Sequence, residues 1–206
     1  MSKKVRPIHG EYLNGLERTG IGAPEVLLEA YLWARGIRIT HAQVPWHDGT
    51  SFPEILRHRV AHTQEALQKY GRYVLFGASA GGSLALNTFH EVRKQDPDAK
   101  LGVICFSAWV QVGDPQELRR VVMEREHPSQ ASIDCVYYCD DVTIPGLSDA
   151  DKTFIRINQP AGDQVVPRDF MLIDGVTVVP VSAERHVKGI VEGIIHVPPI
   201  VDGLPL

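Results

Sequence analysis

One serine in this sequence stands in a setting that is typical of a catalytic nucleophile. Ser79 lies within Gly77–Gly82, where every other residue is glycine or alanine, and it completes the pattern G-x-S-x-G. An apolar strand pattern at Tyr73–Phe76 precedes this motif and a helical pattern follows it. A tight turn between a strand and a helix exposes a serine hydroxyl and requires small neighbours. The sequence therefore predicts that Ser79 is a nucleophile; the alternatives are a glycine-rich turn that only begins a helix, or one that binds phosphate.

The same chemistry requires a base and an acid farther along the chain. A serine hydroxyl is a weak nucleophile at neutral pH, so an imidazole must accept its proton and a carboxylate must orient that imidazole. Asp163 follows the predicted fifth strand, in the loop Gly162–Pro167, and His186 follows the predicted sixth strand, just before the last helix. Both are expected at the strand ends where the serine lies. We therefore predict Ser79 as the nucleophile, His186 as the base and Asp163 as the acid that orients it.

Other histidines and acids are weaker candidates. His196 ranks second as the base, because it lies at the end of the last helix, where a histidine more often has a structural role. His58 and His62 are four residues apart on a predicted helix, but Arg59 stands where the zinc-binding pattern H-E-x-x-H has its glutamate. A solvated helix face is the better interpretation, and we predict no metal site. The remaining acids considered do not follow a strand as Asp163 does: Asp140, Asp141 and Asp174.

Apolar runs and helical patterns alternate along the chain, which favours a parallel sheet with helices on both faces. One predicted helix begins at Pro24 and stops at Gly36, a second covers 53–70 and a last one covers Val187–Ile195, whereas the tail Pro198–Leu206 is expected to be irregular. The predicted fold class is a three-layer α/β/α fold with a mostly parallel sheet of about six strands. The predicted strands are Lys4–Ile8, Ile37–Val44, Tyr73–Phe76, Leu101–Phe106, Thr153–Ile157 and Val176–Val181.

The length of 206 residues fits a single domain. One segment departs from the regular alternation. From Val112 to Asp151 the sequence has a helical stretch and then polar residues with interspersed prolines. We predict that this segment is a small cap inserted over one face of the sheet.

Composition and charge exclude several classes of protein. The formal net charge of −4 gives no reason to expect binding to nucleic acid, whose protein partners carry a basic face. Residues 5–12 include charged side chains where a signal peptide would be apolar, and no stretch has the roughly eighteen apolar residues of a membrane span. We therefore expect a cytoplasmic protein without a membrane span. An odd number of cysteines favours reduced thiols: Cys105, Cys135 and Cys139.

Taken together, these residues resemble the α/β-hydrolase superfamily, as a small member similar to its serine esterases. The resemblance rests on His9-Gly10 after the first strand, the elbow Gly77–Gly81, Asp163 in an Asp-x-Val-Val-Pro loop and His186 after the last strand. It covers nearly the whole chain. It implies a minimal, six-stranded version of that fold and a carboxylic-ester or related acyl hydrolase that uses no cofactor.

The resemblance also implies which groups bind the developing oxyanion. In that superfamily the donors are main-chain N–H groups, which correspond here to Ala80 and, in the loop after His9-Gly10, to Glu11. The Glu11 carboxylate would have to face away from the developing negative charge. Tyr12 is the alternative donor. Tyr12 and Trp109, which follows the fourth strand, are also the candidate residues of the substrate pocket.

The expected function is hydrolysis of a carboxylic ester or thioester of a small acyl substrate through an acyl-enzyme intermediate. A small substrate is favoured because a minimal scaffold has little material for a deep lipid tunnel. The second hypothesis is a non-catalytic binding or scaffold protein with a hydrolase-like fold, in which Glu11 spoils the oxyanion hole. A third is a nucleotide-binding α/β domain, although the pattern G-x-G-x-x-G is missing. Peptidase, lactonase and acyltransferase activities share the same machinery, and the sequence leaves the oligomeric state open.

Overall fold

The computed structural model describes residues 7–15, 23–46, 50–108, 147–163, 166 and 173–206. The strands in these ranges are β1 (Ile8–Leu13), β2 (Ile37–Ala42), β3 (Tyr73–Ala78), β4 (Leu101–Phe106), β5 (Ile155–Pro160) and β6 (Thr177–Val181). The helices are α1 (Ala23–Trp33), α2 (Phe52–Tyr70), α3 (Ala80–Gln95), α4 (Asp149–Lys152), α5 (His186–Ile195) and α6 (Val197–Asp202). None of the helices within the described ranges is long and apolar enough to cross a membrane.

The strands form one parallel sheet in the order β2-β1-β3-β4-β5-β6. This confirms the predicted sheet. The central strands β3 and β4 are buried along their whole length, which explains why they appear in the sequence as unbroken apolar runs. The winding direction reverses between β1 and β3. Ligands of open parallel sheets bind outside the carboxyl ends of the strands at such a reversal.

Alternate residues of each central strand face opposite layers of helices. In β3, Leu75 packs in a cluster with residues of α2 and α3, whereas Val74 and Phe76 pack in a second cluster with residues of α1, α5 and α6. This alternation follows from the period of two residues along a strand. The molecule is therefore a three-layer α/β/α structure, as predicted.

The first strand lies farther along the chain than the sequence pattern predicts. The expected strand was Lys4–Ile8, whereas β1 runs from Ile8 to Leu13 and contains His9-Gly10 in its interior. The pattern is hidden because Glu11 interrupts the apolar residues, although its side chain is buried and paired with an arginine of α2. The loop after β1 therefore begins at Asn14 rather than at residue 9.

The C-terminal part of the chain also differs from the prediction. The fifth strand is Ile155–Pro160 rather than Thr153–Ile157. The tail was expected to be irregular but forms α6, in which Val197 and Val201 are buried. Prolines are tolerated in the first turn of a helix, because the N–H groups there have no intrahelical acceptor. Burial of two valines one turn apart outweighs the breaking tendency of these prolines.

Most of the predicted cap, Val112–Asp151, lies outside the described residues, which omit 109–146. Its last residues belong to α4 and are bound to the main body. The N–H of Asp151 donates to Ser148 Oγ at 3.1 Å, and Arg93 Nε of α3 donates to Asp151 Oδ1 at 2.8 Å. This ion pair fixes the approach of the chain to β5.

The charge of Asp151 makes this attachment sensitive to pH. Burial on its own raises the pKa of Asp151, but hydrogen bonds from Ser148 and Arg93, with the charge of Arg93, lower the pKa below its ordinary value of 3.8. A lowered pKa means that folding favours the ionised form. The stabilisation is therefore complete above the ordinary pKa and is lost as the pH falls through the lower pKa of the folded state.

We expect Asp151→Asn to lower the free energy of unfolding at pH 7 by roughly 1–2 kcal/mol, because it removes a charge-assisted hydrogen bond. The variant should also lose less stability than the wild type when the pH falls from 5 to 3. This interval brackets the ordinary carboxyl pKa of about 4. Urea unfolding at pH 7 and pH 3 measures both effects. The control is Asp149→Asn, whose side chain is 98% exposed. An equal loss in this control would contradict the assignment.

Candidate active site

The turn between β3 and α3 holds Ser79 in a backbone conformation that residues with side chains rarely adopt. Its φ of 53° and ψ of −126° lie outside the main allowed regions for a residue with a Cβ. Two main-chain hydrogen bonds fix the turn: the Ser79 N–H donates to the Phe106 carbonyl, and the Gly82 N–H donates to the Ser79 carbonyl, each at 3.0 Å. Strained residues that are held in place in this way cluster at functional sites.

Only glycine fits at three positions around this turn. A Cβ on Gly77 would collide with the Gly81 carbonyl, and a Cβ on Gly81 would collide with the Leu13 carbonyl at the end of β1. A Cβ on Gly82 would collide with the Cβ of Ala108, two residues after β4. The carboxyl ends of β1, β3 and β4 therefore meet the start of α3 at van der Waals distance.

Ala80, one of the two predicted oxyanion donors, is the first residue of α3 and is buried. The first N–H groups of a helix have no acceptor within that helix, and they lie at the positive end of its dipole. The Ala80 N–H is therefore a donor at a positive helix end, next to Ser79.

The chain that leaves β1 also reaches Ser79. A Cβ on Gly15 would lie 3.0 Å from Ser79 Cβ and 3.6 Å from Ser79 Oγ. The preceding residue, Asn14, is buried, and its carbonyl accepts a hydrogen bond from Trp46 Nε1 at 3.0 Å. Trp46 follows β2 and is itself buried. The indole thus fixes the segment that passes over the serine.

Sequence reasoning did not assign Gly15 or Trp46 to the site. Asn14-Gly15 is an ordinary turn dipeptide, and no motif in the sequence around Trp46 marks that residue as part of a site. The sequence does contain one signal for Gly15: a turn dipeptide directly follows the strand beside which the winding direction of the sheet reverses. That signal could be used only with the correct bounds of β1.

The structure places Glu11 and Tyr12 inside β1 instead of in the loop after it. Glu11 lies opposite Thr40 of β2 and Leu75 of β3, and an interior residue of a strand that is paired on both sides has its N–H in the sheet. Its carboxylate is 3.0 Å from Arg59 Nη1. Tyr12 is 3% exposed and packs in the core cluster beneath α1. Neither residue is therefore placed beside Ser79, and the backbone there is that of Gly15.

Asp163 and His186 follow the neighbouring strands β5 and β6, and a main-chain hydrogen bond joins the loops after these strands. Asp163 comes shortly after β5, and its Oδ1 accepts a hydrogen bond from the Val166 N–H at 3.0 Å. The Gly162 N–H donates to the Ala183 carbonyl at 3.4 Å, which joins the loop after β5 to the loop after β6. The second of these loops ends at His186, the first residue of α5.

The first turn of α5 lies close to the carboxyl ends of β4 and β5. A Cβ on Gly189 would lie 3.1 Å from Ser107 Oγ and would collide with the Pro160 ring. Ser107 directly follows β4, and the carbonyl of its neighbour Phe106 is the acceptor for the Ser79 N–H. The helix that begins at His186 therefore starts at the carboxyl ends of β4 and β5, and Ser79 lies at this same end of the sheet.

Trp109, the other predicted pocket residue, lies outside the described part of the chain. Within that part, no group of three His, Cys, Asp or Glu side chains is arranged to hold a metal ion. Cys105 is buried in β4, and burial raises the pKa of its thiol. A thiol of this kind is unreactive at neutral pH, because the thiolate is the nucleophilic form.

No family model and no curated protein matches the sequence. Many solved structures match the fold. The ydeN gene product from B. subtilis aligns with a TM-score of 0.64 at 14% identity, over 95% of this chain and 98% of that chain. Est1E from Butyrivibrio proteoclasticus, solved with ferulic acid bound, aligns with a TM-score of 0.62 at 13% identity, over 95% and 85% of the two chains. An α/β-hydrolase superfamily protein from Enterococcus faecalis aligns with a TM-score of 0.56 at 14% identity, over 98% and 90%.

These similarities confirm the α/β-hydrolase fold that the sequence resemblance implies. The identities are too low to carry more than the fold, because one fold supports many activities. The chemistry of this chain depends instead on its own residues at the carboxyl end of the sheet.

The strain at Ser79 gives a prediction that does not depend on activity. We expect Ser79→Gly to unfold at a higher urea concentration than Ser79→Ala, because glycine adopts this backbone conformation without a Cβ clash, a difference of about 1 kcal/mol. Ser83, in the regular part of α3, is the matched control. There glycine should be the less stable of the two replacements, by about 1 kcal/mol. The same order of stability at both positions would show that Ser79 is not strained.

Proposed function

We propose that this chain, whose fold is that of the α/β hydrolases, is a serine hydrolase that cleaves a carboxylic ester or thioester of a small acyl substrate. The observation that supports this most is the strained turn at Ser79, with a helix N-terminus on one side and the backbone of Gly15 on the other. Residues strained in this way cluster at active sites. The positions of Asp163 and His186 after neighbouring strands also support the proposal.

In the proposed reaction, Ser79 Oγ attacks the acyl carbon while His186 accepts the hydroxyl proton. The carboxylate of Asp163 orients the imidazole and stabilises the imidazolium. His186 then gives the proton to the leaving alcohol or thiol, which departs as the acyl-enzyme forms. Water attacks this ester with His186 as base, and the acid leaves with Ser79 restored. No cofactor takes part in these steps.

The proposed oxyanion donors are the Ala80 N–H and the main chain at Gly15. Ala80 lies at the positive end of α3, where a developing negative charge is stabilised by the helix dipole. Gly15 replaces Glu11 in this role, because a Cβ on Gly15 would lie 3.6 Å from Ser79 Oγ, whereas Glu11 lies in the interior of β1. The carboxylate of Glu11, which had argued for a non-catalytic protein, is bound by Arg59 and does not oppose the oxyanion.

The first test is covalent labelling with a fluorescent fluorophosphonate. We expect the wild type to be labelled, and Ser79→Ala and His186→Ala to lose several orders of magnitude in labelling rate, because the activated nucleophile is removed. Asp163→Asn should also slow the reaction.

The matched control is Ser107→Ala. Ser107 also has a positive φ and follows a strand, but it is fully buried, so its loss should leave labelling intact. Absence of label on folded wild type, or persistence of label in Ser79→Ala, would overturn the proposed function. A screen of short-chain esters and thioesters then identifies the substrate class.

The hydrogen bond from Trp46 gives a further prediction about the oxyanion segment. We expect Trp46→Phe to lower kcat by about tenfold with little change in KM, because small displacements of catalytic groups are costly to rate. The ring of Phe52 stacks on Trp46 at 6.5 Å between centroids but does not hold Asn14. Phe52→Leu therefore serves as the packing control. An equal fall of kcat in this control would attribute the effect to packing rather than to the hydrogen bond.

A further inference from the structure

A cleft lies between α2 and the edge of the sheet that is formed by β1 and β2. Its volume is about 250 Å³. His9 in its wall is four residues before the end of β1, which places the cleft roughly 13 Å from the carboxyl ends of the strands at ~3.3 Å per residue. It is therefore separate from the site at Ser79. The polar residues that line it include His9, Arg38, Thr40, His62, Glu65 and Lys69.

The wall of this cleft carries an excess of positive charge. Arg38 comes from β2 and Lys69 from α2, so the two cations belong to different sides of the cleft. All three of His9, Arg38 and Lys69 line the cleft, and burial, followed by the charges of Arg38 and Lys69, lowers the pKa of the His9 imidazole. Glu65 is the one carboxylate among the residues that line the cleft. The nearby carboxylate of Glu11 is paired with an arginine of α2.

Each cation lies against an aromatic ring; Arg38 is half-buried, whereas Lys69 is exposed. Lys69 Nζ lies 5.0 Å from the centroid of the Tyr70 ring, and the Arg38 guanidinium lies 4.3 Å from the centroid of the Trp33 ring. Arg38 Nη1 also donates to the Trp33 carbonyl at 2.7 Å, which uses one of five N–H donors. The His9 ring stacks on Tyr70 at 3.8 Å. Groups that are ordered before binding lose little entropy when a ligand arrives.

We propose that this cleft binds a small oxyanion, the phosphate or carboxylate group of a metabolite, between Arg38 and Lys69. A guanidinium presents paired donors that match either group, and an ammonium adds a point charge. The His9 imidazole supplies a further N–H donor. The volume holds such a group with a few attached carbon atoms. Anion binding here is independent of the proposed reaction at Ser79, because the cleft lies at a different part of the sheet.

Calorimetric titration of the full chain with inorganic phosphate tests the proposal, with succinate as a second arm and sodium chloride at equal ionic strength as the blank. We expect saturable binding of one anion with a Kd of about 1 mM or below. Arg38→Gln and Lys69→Gln should each weaken binding by about fivefold or more, because each removes one of the two cations. Saturable binding of phosphate alone identifies a phosphate site, and saturable binding of succinate alone identifies a carboxylate site.

Two controls separate the cleft from general charge and from the nucleophile. Arg57→Gln removes an exposed cation of α2 that does not line the cleft, and Ser79→Ala alters the site at the end of the sheet. Both should retain wild-type affinity. Absence of saturable binding in both arms, equal weakening in Arg57→Gln, or loss of binding in Ser79→Ala would overturn the proposal. Thermal unfolding of each variant without anion confirms that it is folded.

Discussion

The tight turn at Ser79 is the constraint on which the rest of the sheet end depends. Its positive φ requires the strand to stop and the helix to start within one residue, and the chain then folds back on itself at van der Waals distance. Gly77 and Gly81 make this approach possible, because any Cβ there would collide with a main-chain carbonyl. The end of β1 takes part in the same contact, because the Leu13 carbonyl lies against Gly81. The turn at Ser79 and the reversal of the sheet are thus one structural feature.

The buried charge of Glu11 is the second constraint, and it acts on the face beneath α2. A carboxylate that is 3% exposed is unfavourable unless a cation or several donors compensate it. Arg59 supplies the cation at 3.0 Å, and His62 lies 3.5 Å from the other oxygen. Both residues belong to α2, so this pairing fixes the register of the helix against β1. The same register turns Lys69 toward the cleft.

These two constraints explain what the sequence could predict. The strand and helix around Ser79 were predicted because the motif is local, and β4 was predicted to the residue because its side chains are apolar on both faces. The position of β1 was not predicted, because Arg59, which compensates the buried charge of Glu11, lies 48 residues away in the sequence. The approach of Gly15 to Ser79 was missed for the same reason. Its partner, Ser79, is distant in sequence, and the turn dipeptide alone does not reveal which surface it approaches.

The low identity of the structural neighbours, 13% and 14% in the three compared, has a related physical explanation. Side chains on the helices and in the two cores can be exchanged for others of similar volume, and most such changes alter stability only modestly. The turn permits no such exchange, because the space around Gly77, Gly81 and Gly82 is occupied by backbone or by a neighbouring Cβ. A fold held by main-chain contacts can thus persist after its sequence has changed almost everywhere. Sequence comparison weighs all positions, whereas these contacts involve only a few of them.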